Sequence, residues 1–256
     1  MLVEIDGGPA THDALHFRAL TNYGHYTSMQ VRDGRVRGWP LHVDRLAAAT
    51  RELFDDDLPA ALVRDRLRAA LRDDASSCSV RIDVFRLPGA DRVSVMVSVR
   101  PPLEMAAHGR SLQSVGYVRP MAHLKHVGTF AQIRYGDQAR AAGFDDAVLV
   151  GPDKAVLETT IANIGVVDGG TVVWPDGAVL VGTGWQLLAD ALPAYGVIPE
   201  RRRIRLADLP AFDAAFVVSS TGLAAVRRVD DLDLRVDPDV LGILAAAHEA
   251  LPWDEI

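Results

Sequence analysis

Residues 78–87 (CSVRIDVFRL) and 91–100 (DRVSVMVSVR) alternate apolar side chains with polar, charged or small ones, and Pro88-Gly89 lies between them. A two-residue period is the period of a strand, and a turn pair between two such runs makes them an antiparallel hairpin. Such a hairpin has one apolar face to bury, so it needs helices or a second sheet on that side. The preceding residues supply both. YTSMQVRDGRVRGW places Asp33-Gly34 between β-rich flanks, a second hairpin signal. PLHVDRLAAATREL has Leu41, Leu46 and Ala49 at helical spacing with Pro40 in the first turn, and LPAALVRDRLRAALRD reads as another helix. The first hundred residues therefore read as an α+β unit.

Pro101-Pro102 closes that unit, and the polar, small-residue stretch PPLEMAAHGR marks a boundary, giving domains 1–105 and 106–256. Beyond it, LQSVGYV is a strand and GTFAQIRYGDQARAAG a helix stopped by Gly143. Residues 145–175 follow as short strands with tight turns. The basic run Arg201-Arg202-Arg203-Ile204-Arg205 is expected at a strand edge.

The net charge of −7 and pI near 5.6 argue against a phosphate-backbone footprint, so no nucleic-acid partner is expected. No apolar stretch approaches membrane-spanning length, and the N-terminus has no basic region followed by an apolar one. Cys78 is the single cysteine and lies in a strand run, where it reads as a small buried hydrophobe. A soluble cytoplasmic protein is the expectation. His25 and His42 have no metal-like spacing with other ligands, so no metal is assigned.

Of 27 basic residues only two are lysines. Lys154 belongs to the turn Gly151-Pro152-Asp153-Lys154, where a solvated lysine is ordinary. Lys125, in HLKHVGTF, lies between an apolar strand and Gly128, just before a helix. A partly buried lysine tends toward a lower pKa and can act as a nucleophile toward carbonyl carbon. Pyridoxal phosphate asks a protein for such a lysine, for a carboxylate at its ring nitrogen and for donors to its phosphate. Thirty-three residues after Lys125 (158 − 125 = 33), LETTIANIG offers Glu158 among small and hydroxylated residues. LVGTGWQLL places Gly182, Thr183 and Gly184 at the start of an apolar helix, where free amides and the helix dipole favour an anion. VVSSTGL adds Ser219, Ser220 and Thr221 after a strand.

The order of these segments resembles the class IV aminotransferases, the fold-type IV pyridoxal phosphate enzymes. That family includes branched-chain and D-amino acid aminotransferases and aminodeoxychorismate lyases. The resemblance runs from NYGHYTSMQVRDGRVRGWPLHVDRL through KHVGTF, AGFDDAVLV, ETTIANI and LVGTGWQLL to SSTGLAAVRRVDD. It implies a two-domain α/β fold with the cofactor in the interdomain cleft, and a homodimer. It makes Lys125 the Schiff-base lysine and proton shuttle, Glu158 the carboxylate on the pyridine nitrogen and Arg45 the phosphate arginine. Ile161 would give a backbone amide to the phosphate, and Thr183 with Gly184 would cradle it. Ser220 would add a hydroxyl, with Thr221 the alternative under a one-residue shift. Tyr26, Thr221 and Gly222 match substrate-binding positions.

Several positions depart from the family pattern. Phe130 stands where transaminases usually carry a tyrosine; aminodeoxychorismate lyases also have an apolar residue there and often begin the segment with Lys-His, as Lys125-His126 does. Gly184 replaces a threonine, Trp185 a basic residue, Gly165 an aromatic and Ala225 a proline. His126 is expected to pack at the helix start. The reaction implied is transamination between an amino acid or amine and a keto acid. The alternatives are a lyase releasing pyruvate by β-elimination, and a cofactor-binding protein without turnover.

Overall fold

The computed structural model describes residues 1–71, 77–106 and 108–256. They form two compact units. The first comprises residues 1–103, 124–128 and 252–256, and the second residues 104–123 and 129–251.

The first unit contains β1 (Leu2–Ile5), β2 (Gly8–Pro9), α1 (His12–Leu20), β3 (His25–Arg32), β4 (Arg35–Val36), α2 (Trp39–Phe54), α3 (Ala60–Leu71), β5 (Ser77–Phe85) and β6 (Ser94–Arg100). Its sheet is antiparallel, in the order β4-β3-β5-β6-β1-β2, with the short strand Asp254–Glu255 added outside β4. Both expected hairpins form. Asp33 and Gly34 each have positive φ (49° and 71°), as a two-residue loop matched to the strand twist requires. The β5–β6 ladder begins at Phe85 opposite Ser94, with a turn closed by the Ala90 N–H donating to the Leu87 carbonyl. The alternation has its expected result: Met29, Val31, Val80, Ile82, Val84, Val95 and Val97 join Val43 and Leu46 of α2 and Val63 and Leu67 of α3 in one core. Leu46 is fully buried there, so its truncation to alanine would cost about 2–5 kcal/mol. Cys78 belongs to the same core.

The second unit contains β7 (Arg110–Gly116), α4 (Phe130–Ala141), β8 (Asp146–Val150), β9 (Val156–Thr159), β10 (Asn163–Asp168), β11 (Thr171–Pro175), α5 (Thr183–Ala191), β12 (Ile198–Arg202), β13 (Ala214–Ser219), β14 (Gly222–Val229), β15 (Leu232–Asp233) and α6 (Pro238–Glu249). Its nine-stranded mixed sheet runs β12-β11-β10-β13-β14-β7-β8-β9, with β15 paired to β14. α4 stops as expected, with Gly143 at φ 85° beyond its end. The basic run begins in β12, at the edge of this sheet, where the charged side chains stay exposed. Lys154 is an exposed turn residue.

Candidate active site

In the first unit a segment distant in sequence is stitched onto the start of β3. The Tyr26 N–H donates to the Lys125 carbonyl (2.9 Å), the Val127 N–H donates to the Gly24 carbonyl (3.0 Å), and His25 pairs with His126 as an isolated bridge. Gly24, which accepts from Val127, is also held close to β5: it sits at φ 146°, and a Cβ there would lie 2.6 Å from the Val84 carbonyl oxygen. The result sets the Lys125 Nζ 4.9 Å from the centroid of the Tyr26 ring. His126 packs as expected before α4, its Nδ1 accepting from the Gly128 N–H at 3.1 Å.

Behind this segment lies a polar cluster between β3 and α2. Arg45 Nη2 donates to Thr27 Oγ1, which is 2.6 Å from His42 Nδ1. His42 is buried, and burial, then Arg45, then Lys125 push its pKa well below the usual histidine value. His25, also buried, contacts Thr50 Oγ1 at 3.0 Å; burial first and Arg45 second lower its pKa to about 4. Both rings are therefore neutral near pH 7, and the positive charge of the cluster rests on Arg45 and Lys125.

The second unit assembles the other set. Glu158, near the end of β9, is buried, and its carboxylate accepts from Arg119 Nε (3.0 Å) and from the Leu180 N–H (3.3 Å). The Leu180 carbonyl accepts from Asn163 Nδ2 (2.7 Å), and Asn163 Oδ1 accepts from the Gly182 N–H (3.1 Å). One hydrogen-bonded path thus runs from Arg119 through Glu158 to the N-cap of α5. Gly182 makes no side-chain cap, so the first-turn amides of α5 keep their capacity for an external acceptor. A Cβ on Gly182 would lie 2.2 Å from Asn163 Oδ1, and one on Gly184 3.1 Å from the Ser219 carbonyl oxygen. These approaches bring Thr183 and Gly184 beside the turn after β13. In that turn Ser219 Oγ and Thr221 Oγ1 are 2.8 Å apart, and Ser220-Thr221 form the two-residue loop before Gly222 at φ 140°. Ile161 is 75% exposed, and its N–H makes only a long contact (3.4 Å) to Thr159 Oγ1.

The departures acquire physical reasons. Trp185 stacks on Trp174 (centroids 4.7 Å apart, planes 14° apart), and Trp174 in turn meets the edge of Phe216. Trp185 is thus a core side chain and offers no charge to a ligand. Gly165 is glycine because a Cβ there would meet the Phe216 ring at 2.5 Å. Phe130 begins α4 and is 81% exposed. Arg119 escaped the sequence reading because one arginine in a loop carries no local signal.

The sequence model of the class IV aminotransferase family matches residues 24–229. The chain belongs to the class IV aminotransferases. Similar solved structures include the PLP-bound form of a hypothetical aminotransferase from Mycobacterium tuberculosis, with 23% identity, 98% of each chain covered and a TM-score of 0.82. They also include a fold IV-transaminase from Curtobacterium pusillum (25% identity, 91% of this chain and 86% of that one, TM-score 0.81). A third is a putative 4-amino-4-deoxychorismate lyase from Legionella pneumophila (19% identity, 91% and 92%, TM-score 0.79). No sequence among the curated proteins matches. Class IV aminotransferases work with pyridoxal phosphate, and the groups present fit it: a half-buried lysine amine, a buried ion-paired carboxylate and an uncapped helix start with glycines where a Cβ would intrude.

Proposed function

We propose that this chain transfers an amino group between an amino acid or amine and a keto acid, with Lys125 as the reacting amine. The observation that carries the reading is the pairing of 24–26 with 125–127, which fixes the one lysine outside a turn against Tyr26 and near Arg45. Bound pyridoxal phosphate supplies the electron sink for the substrate carbon that bears nitrogen. Lys125 Nζ would hold the cofactor through its aldehyde carbon, and the freed amine would move the proton at that substrate carbon as general base and acid. Glu158, paired with Arg119, would face the ring nitrogen and stabilise a proton there. Arg45, the Ile161 amide, Thr183, Gly184 and Ser220 hold the phosphate, and Tyr26, Thr221 and Gly222 line the substrate side. The reading keeps the domains 1–105 and 106–256. It includes a homodimer, for which the exposed apolar side chains Met121, Phe130, Ile133 and Ile161 offer cover-seeking surface. It also includes a cytoplasmic setting, in keeping with a single cysteine, Cys78, that is buried and can form no internal disulfide.

A second reading, β-elimination with pyruvate release, is favoured by Phe130, which has no hydroxyl to offer the cofactor. A panel of amino donors with a keto acid acceptor tests the first reading, followed by the cofactor's absorbance and by product formation. Amino transfer with at least one donor is expected. Pyruvate released from aminodeoxychorismate without any added keto acid would replace transamination with the lyase reading. A spectrum unmoved by every donor would leave a binding protein.

A further inference from the structure

Two histidine–threonine contacts join β3 to α2, and they run in opposite senses. His25 of β3 meets Thr50 of α2 (Nε2 to Oγ1, 3.0 Å), and His42 of α2 meets Thr27 of β3 (Nδ1 to Oγ1, 2.6 Å). All four side chains are buried. The second contact has a third member. Arg45 donates through Nη2 to Thr27 Oγ1, and the same Nη2 lies 3.3 Å from His42 Nδ1. Residues three apart share a helix face, so the spacing of His42 and Arg45 on α2 brings both over Thr27. Arg45 is half-buried, whereas His42 and Thr27 are 1% and 0% exposed. The histidine and threonine have no surface to offer a ligand, so they act on one through Arg45.

Chemistry fixes the direction of these hydrogen bonds. A guanidinium only donates, so Thr27 Oγ1 accepts from Arg45. The threonine hydroxyl has a single proton of its own, and that proton goes to His42 Nδ1. The ring must then be bare at Nδ1 and carry its proton on Nε2. Its surroundings suit that form. Burial, Arg45 on its own helix and Lys125 on the 124–128 segment keep the ring neutral, while a hydrogen bond to the backbone of Arg37, just before α2, favours a proton on the other side. A proton on Nδ1 would leave the Thr27 hydroxyl without its acceptor and set an imidazolium against Arg45. An arginine held this way by buried acceptors has fewer torsions left to fix when it closes on an anion.

We propose that Thr27 and His42 are positioning residues for the cofactor's phosphate: they hold the Arg45 guanidinium in the orientation that receives it. This rests on the reading of Arg45 as the phosphate arginine, and it deepens that reading.

The test measures the affinity of the full chain, freed of cofactor, for pyridoxal 5'-phosphate and for pyridoxal by absorbance titration. Both carry the same aldehyde, so the ratio of the two affinities reads the phosphate alone. Thr27→Val keeps the shape and loses the hydroxyl, and it should lower that ratio by roughly three- to tenfold, as expected for one hydrogen bond. Thr27→Ser should stay near the parent. His42→Asn, which can present an amide oxygen where Nδ1 stands, should lose less than His42→Leu. Thr50→Val, in the other pair, should leave the ratio unchanged. Adding Thr27→Val to Arg45→Ala should lower the ratio no further than Arg45→Ala alone, because the threonine acts through the arginine. Equal losses of both affinities in Thr27→Val, or a loss that adds to that of Arg45→Ala, would mean that the threonine only ties α2 to β3, and overturns the inference. A ratio that falls in Arg45→Ala but not in Thr27→Val overturns the inference alone. A ratio unchanged in Arg45→Ala removes the phosphate reading of Arg45 and the inference with it.

Discussion

Replacing Arg119 by methionine tests the ion pair that holds Glu158. The two side chains are 5% and 9% exposed, with Nε 3.0 Å from Oε1, and Arg119 also donates to the Ala122 carbonyl. Methionine fills much of the same volume but leaves a buried carboxylate with one fewer donor and without its countercharge. Breaking a buried pair from one side costs about 3–5 kcal/mol. For a chain of this size that lowers Tm by about 6–20 °C, at about 2–4 °C per kcal/mol. The measurement is thermal unfolding of cofactor-free protein, so that ligand binding does not contribute to stability. The double replacement Arg119→Met with Glu158→Leu removes both charges, and it should be more stable than Arg119→Met alone. A single variant within about 3 °C of the parent, or a double variant worse than the sum of the singles, would mean that Arg119 does not hold Glu158.

Glu158→Gln cannot keep a proton on the ring nitrogen, so turnover should fall at least a hundredfold, on the order of 3 kcal/mol, while cofactor retention after dialysis changes far less. Arg45→Ala should weaken cofactor affinity by roughly ten- to a hundredfold, read by equilibrium dialysis, and unchanged retention would remove Arg45 from the phosphate. His25 has a folded pKa near 4 against an ordinary value of 6.5, so the unfolded chain takes up its proton first. Its contribution is complete above pH 6.5 and declines as pH falls toward 4, amounting to about 2 kcal/mol lost by pH 5. His25→Gln cannot take up that proton, so denaturant titrations at pH 7 and pH 5 should show a smaller acid loss than in the parent.

The elements most legible in the sequence were those with a strong local period. The alternation at 78–100 dictated β5 and β6, and Asp33-Gly34 dictated the hairpin of β3 and β4, because each signal is contained within a few residues. The start of α5 was legible for the same reason. What the sequence hid was pairing between distant segments. Nothing near residue 125 says that it will lie on the start of β3, and nothing near Arg119 says that it will meet Glu158, 39 positions on. Arg81 and Asp83 could be read as alternate residues of one strand, but the stacking of Arg81 on Tyr26 needed the register of β3 against β5. Trp185 looked like a lost basic residue until its stacking on Trp174 made it a core residue.

The central claim is that Lys125 is the reacting amine, and reduction by borohydride tests it most directly. Arginine cannot replace it in the chemistry, being always protonated and a poor nucleophile. The purified protein supplied with pyridoxal phosphate should show a visible absorbance band. Borohydride should then fix the cofactor covalently, and digestion with mass spectrometry should place the label on the peptide that contains Lys125. Lys125→Arg should fold, lack the band and take no label. A label on Lys154, or a parent protein that takes up no pyridoxal phosphate, would contradict the account.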